Sequence, residues 1–72
     1  MININKLKAK IVEQGLSVSE VAGNIGINHS TFYRKLNNGG ENFSVKEVKK
    51  ISKILNLSAT EVNEIFFDSY VA

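Results

Sequence analysis

Apolar residues recur at three- and four-residue steps in five separate blocks along the chain. The blocks are Ile4, Leu7 and Ile11; Val21, Ala22 and Ile25; Phe32 and Leu36; Val48, Ile51, Ile54 and Leu55; and Val62, Ile65 and Phe66. Each set lies on one face of a helix, with polar residues filling the other positions. No stretch alternates apolar and polar residues long enough to suggest a strand. The pattern predicts an all-α chain with helices over residues 5–14, 18–25, 29–37, 45–55 and 59–67. None of these short segments is stable as an isolated helix in water, so they must pack on one another.

The helix ends are marked by a recurring device. Ser17-Val18-Ser19-Glu20, Ser44-Val45-Lys46-Glu47 and Ser58-Ala59-Thr60-Glu61 each have the form of a capping box. In such a box the serine hydroxyl accepts from the glutamate amide, and the carboxylate accepts from the serine amide. Each box is flanked by an apolar pair at staple spacing: Leu16 with Val21, Phe43 with Val48, and Leu57 with Val62. Asn28 heads a fourth helix without the glutamate but keeps the pair Ile27 and Phe32. Each cap contributes about 1 kcal/mol, a sizeable fraction of a small domain's stability. Gly15, Gly26 and Gly39 follow helical stretches and suit the left-handed conformation that closes a helix.

Composition narrows the function classes. Seventy-two residues make one domain, with residues 68–72 as a short tail. A chain of this size buries only about 60–65% of the surface it exposes when unfolded, so packing and helix ends must supply its stability. With no cysteine and a single histidine, His29, neither a disulfide framework nor a Cys/His metal site is expected. No apolar run approaches the roughly 20 residues of a membrane span, and no leader segment stands at the start, so a cytoplasmic protein is expected. The formal net charge is +2, unevenly placed. Residues 1–40 carry five lysines and arginines against two acids, and residues 41–72 carry four against five. Between Val21 and Gly40 there is no acid at all, a stretch suited to a polyanion. The chain lacks a Ser/His/Asp set, paired carboxylates in an apolar setting and a nucleotide-holding loop. Gly39-Gly40 has neither the following lysine nor the preceding strand of a phosphate loop. No enzymatic activity, cofactor, metal or small-molecule substrate is expected.

The joint between the second and third helices carries the functional signal. Gly26 and Ile27 alone separate helix two from the Asn28 cap, and so short a joint forces a steep crossing, the geometry of a helix-turn-helix. Ala22, four residues before Gly26, lets the two helices approach closely, and Phe32, six residues after it, plugs the space between them. The stretch from Ser17 to Gly39, SVSEVAGNIGINHSTFYRKLNNG, resembles the helix-turn-helix of the Cro and phage-repressor family. The remaining helices match that family's five-helix, lambda-repressor-like DNA-binding domain, so the resemblance spans nearly the whole chain. STFYRKLN followed by a glycine turn resembles small early regulators of temperate phages of Gram-positive bacteria, either Cro-like repressors or modulator-of-repression antirepressors. The resemblance implies transcription regulation at the lysis–lysogeny switch.

In this architecture the third helix enters the major groove. Asn28, His29, Ser30, Thr31, Tyr33 and Arg34 are the candidate base-facing residues. Arg34 has the fork that matches guanine, His29 and Ser30 can bond base edges, and the Thr31 methyl suits a thymine methyl. Lys35, Asn37, Asn38 and the glycine amides that follow are candidate phosphate contacts, as are the amides opening helix two at Ser17 and Val18. Bland roles stand beside these. His29 also reads as an ordinary exposed side chain, and Tyr33 as a packing partner for helix four. Lys46, Lys49, Lys50 and Lys53 form either a solvated face or a further backbone contact.

Several features depart from a plain operator-binding protein. Members of the family often carry a phosphate-gripping glutamine where this chain has Val18, an apolar residue on a face expected to meet DNA. Lys35 stands where the family has an apolar residue, with Leu36 beside it, which suggests a slightly rotated helix. Gly23 inside helix two costs about 1 kcal/mol relative to alanine with no reason visible in the sequence. Two partners are therefore expected: operator DNA, bound as a homodimer, or the DNA-binding domain of the phage's main repressor, occluded by this protein as an antirepressor. The apolar tail, Phe67, Tyr70 and Val71 beyond a core Phe66, either closes over the domain's own core or forms a subunit contact.

Overall fold

The structure is a computed structural model that describes residues 2–38 and 43–67. Five helices follow one another: α1 (Ile4–Glu13), α2 (Val18–Ile25), α3 (His29–Asn37), α4 (Val45–Ile54) and α5 (Ala59–Phe66). There is no strand among the described residues. Every predicted boundary falls within one residue of the observed one, because the capping devices form as their sequences require. Both halves of the box are present at Ser17/Glu20, Ser44/Glu47 and Ser58/Glu61. Asn28 accepts from the Ser30 amide at 2.8 Å, and Asn3, which the apolar pattern did not mark, caps α1 by accepting from the Lys6 amide at 3.1 Å.

Three of the four corners share one construction. A left-handed residue ends the helix, an apolar residue follows, and the cap of the next helix comes third. Gly15-Leu16-Ser17, Gly26-Ile27-Asn28 and Asn56-Leu57-Ser58 occupy these positions, with φ of 75°, 79° and 53° at the first residue. The left-handed residue donates to a carbonyl three residues back and the apolar residue to one five back: Gly15 to Val12 and Leu16 to Ile11, Gly26 to Gly23 and Ile27 to Ala22, Asn56 to Lys53 and Leu57 to Ser52. This pattern satisfies the carbonyls that a helix leaves open at its end. The third corner uses asparagine where the sequence pattern pointed only to glycines, since asparagine also tolerates this backbone region. The closure expected at Gly39 lies outside the described residues. Asn38 ends α3 at φ −90° and ψ 20°, without left-handed geometry.

All five helices contribute to one apolar core, in which Leu7, Val21, Phe32, Ile51 and Ile65 are wholly inaccessible. Helix α2 packs against α1, α3 and α4, and α5 closes the assembly against α1. The three apolar corner residues Leu16, Ile27 and Leu57 pack on this core, as does Phe43 ahead of α4. Phe66 is core, as expected, whereas Phe67 is 44% exposed. Tyr70 and Val71 lie outside the described residues.

Helices α1 and α5 are also clasped by polar contacts. The Asn3 amide donates to the Ile65 carbonyl at 2.7 Å, while Lys6 pairs with Glu64, and Lys10 with Glu61 and Glu13. The hydrogen bond to Glu61 raises the Lys10 pKa above 10.5. The same bond, with help from the Ser58 amide, holds the Glu61 carboxyl at about 2. Solvent screens such pairs, so the clasp orients α5 more than it stabilises the fold. No helix among the described residues is long and apolar enough to cross a membrane.

Candidate nucleic-acid interface

The Gly26 corner determines what α3 shows to solvent. Its left-handed backbone turns the chain sharply, and the apolar side of α3 is then drawn inward by Phe32 at 0% exposure and Leu36 at 2%. Ala22, itself buried, supplies the carbonyl that accepts the Ile27 amide at 3.0 Å. With that side anchored, His29, Ser30, Tyr33, Arg34 and Asn37 are exposed on the other, and Asn28 and Asn38 are exposed at the two ends. The candidate base-facing residues are thus brought together on one surface, with Thr31 the exception. It is half-buried.

Two side chains take places that the sequence pattern did not foresee. Lys35 turns away from the open face of α3. Its ammonium donates to both carboxylate oxygens of Glu47 on α4, at 2.8 and 3.0 Å, and lies 5.7 Å from the centroid of the Phe43 ring. Partial burial works to raise the Glu47 pKa, but the hydrogen bonds from Lys35 and from the Ser44 amide outweigh it and hold the carboxyl below its ordinary value. Phe43 in turn meets Phe32 edge-on, with centroids 5.4 Å apart. The expected rotation of α3 is therefore unnecessary: Leu36 occupies the core, and Lys35 fastens α3 to the start of α4.

Val18 is the second. It is half-buried and packs against the core. An apolar residue there serves the fold. Beside it Ser17 is exposed, with its hydroxyl and amide both occupied by Glu20.

Tyr33, one of the candidate base-facing residues, is exposed on α3. Its ring lies against His29 one turn earlier, with centroids 4.6 Å apart at a 52° tilt, and it remains 42% exposed. His29 also reaches across to α2, where its Nε2 is 3.1 Å from the Ser19 hydroxyl. Sequence reasoning missed Ser19, because its partner lies on the other helix and no local spacing announces the pair.

The electrostatics of this face follow from these placements. With Lys35 neutralised by Glu47, Arg34 is the cation of α3 that pairs with no described residue. The α4 lysines 46, 49, 50 and 53 are all exposed. Gly23 is exposed on α2, and a Cβ built there meets no atom within 4 Å, so no internal crowding requires glycine. Among the described residues no cluster of His, Asp or Glu could hold a metal ion.

The face can offer hydrogen-bond donors and acceptors, a guanidinium and two aromatic rings to a groove wide enough for a helix. No curated protein and no solved structure matches the chain at a significant level. The family model of the Cro/C1-type helix-turn-helix DNA-binding domain matches residues 6–68, most of α1 and all of the other four helices. The chain belongs to the Cro/C1-type helix-turn-helix DNA-binding family.

Proposed function

We propose that this domain binds operator DNA as a Cro-like transcription regulator of a temperate phage's lysis–lysogeny switch, working in the host cytoplasm as a homodimer. The observation that carries this reading is the open face of α3, held outward by the Gly26 corner and by the buried Phe32 and Leu36. Arg34, Ser30 and His29 would address base edges, while Asn37 and Asn38 would take phosphates. A single short helix makes few base contacts, and two copies on a near-palindromic site would multiply them. Gel-shift titration on the protein's own promoter region should give binding in the nanomolar range that weakens steeply with salt. No shift at low salt would refute the reading.

One observation favours a second reading. The ion pair between Lys35 and Glu47 leaves the described part of α3 with a single unpaired cation, a sparse charge for a face that must hold a polyanion. Such a face suits a protein partner, the DNA-binding domain of the phage's main repressor, which this chain would occlude as an antirepressor. Calorimetric titration against that domain distinguishes the two: a complex at micromolar concentration, with loss of the repressor's own shift, selects the antirepressor.

A further inference from the structure

We propose that Ser19 determines sequence specificity from outside the recognition helix, by positioning His29. This rests on the operator-binding reading above. Ser19 is the second residue of α2 and His29 the first of α3, and the hydroxyl-to-Nε2 contact of 3.1 Å joins the two helices across the outside of the Gly26 corner. Both residues are exposed, and the ends of both helices are already capped, by Ser17 with Glu20 and by Asn28. The fold therefore has little use for the bond, because a solvent-exposed hydrogen bond adds little to stability.

Its effect is on the imidazole. The Ser19 hydroxyl holds one edge of the ring, and the Tyr33 ring, 4.6 Å away, limits its swing on one face. A surface histidine ordinarily samples several orientations, whereas this one is fixed at two points before any ligand arrives. Nε2 is committed to Ser19, which leaves Nδ1 to face a partner. The hydroxyl can either donate or accept, so it supports both tautomers: donating to Nε2 leaves Nδ1–H as a donor, and accepting from Nε2–H leaves Nδ1 as an acceptor. A base-edge acceptor selects the first state and a base-edge donor the second, and the hydroxyl follows by rotating. Ser19 thus presents a prepositioned imidazole in whichever tautomer the base pair requires. Loss of the hydroxyl frees the ring and weakens that one base contact.

The test uses the full chain with Ser19→Ala, Ser19→Thr, His29→Ala and the double variant Ser19→Ala/His29→Ala. The cognate duplex is isolated by selection from a random duplex pool, and a scrambled duplex of equal length is the control. Ser19→Ala should shift the His29 ring ¹⁵N resonances in the free protein. It should also lower the cognate-to-scrambled affinity ratio by about fivefold, the lower end of one base contact. Ser19→Thr, which keeps the hydroxyl, should restore both, and the double variant should discriminate no worse than His29→Ala. Unchanged ring resonances, or equal weakening on both duplexes, would overturn the proposal. A wild-type protein that cannot distinguish the duplexes at all removes the operator reading and the specificity role with it. The ring resonances would then still report whether Ser19 holds His29.

Discussion

Helices α3 and α5 are close counterparts. Each is short, each follows a three-residue corner of the same hydrogen-bonding pattern, and each anchors one side with two buried residues, Phe32 and Leu36 in one and Ile65 and Phe66 in the other. They differ in what happens to the polar side. On α5, Glu61 and Glu64 are taken up by Lys10 and Lys6 of α1, and the Ile65 carbonyl accepts from Asn3. On α3, Lys35 is claimed by Glu47 of α4 and His29 meets Ser19 of α2, while Ser30, Tyr33, Arg34 and Asn37 stay exposed with no bond to another helix among the described residues. The corner alone therefore does not make a recognition helix. What sets α3 apart is that most of the side facing away from the core has no partner on another helix among the described residues.

The sharpest way to break this comparison is at the two left-handed residues. Gly26→Ala places a Cβ in a backbone region that costs about 1–2 kcal/mol, and urea denaturation should show a loss of that size. Gly26→Asn should cost less, because Asn56 already holds the same position ahead of α5 at φ 53°. Equal losses for the two variants would mean that the corners are not interchangeable.

Within α2 the expected sign reverses. Gly23→Ala should raise stability by about 0.5–1 kcal/mol, since the added methyl meets nothing and the helix gains a better former. A loss in the denaturation midpoint would show that the bare backbone at Gly23 has a structural role. The smallest effect concerns the polar side of α5. The Glu61 pKa is depressed to about 2 from 4.5, so its contribution is full above pH 4.5 and disappears as pH falls toward 2. Glu61→Gln keeps a capping-box side chain but removes the charge, and should flatten the decline of melting temperature across that range. An unchanged acid profile would show that the Lys10–Glu61 pair contributes nothing to folding.

Most of the fold is legible in the sequence because its determinants are local. A serine three residues ahead of a glutamate marks a helix start through contacts within a single turn, and this happens three times. Gly15 and Gly26 act over similarly short range, and Asn56 could have been found by noticing that Asn56-Leu57-Ser58 repeats their pattern. The candidate site is legible only in outline. That α3 presents one side follows from Phe32, Leu36 and the Gly26 joint. That Lys35 leaves this side for Glu47, that Val18 sinks toward the core and that Ser19 meets His29 all depend on residues of other helices. Pairings of that kind have no spacing rule, and they decide how much charge the surface retains.

Leu16, Ile27 and Leu57 each stand at a double post: each supplies the apolar closure of one helix and the staple of the next. Loosening any of them frays two helices at once, so unwinding cannot stay confined to a single segment. A chain of 72 residues fastened in this way should melt as one cooperative unit. Amide hydrogens deep in α1, α2, α4 and α5 should then exchange with similar protection, each released only by global opening.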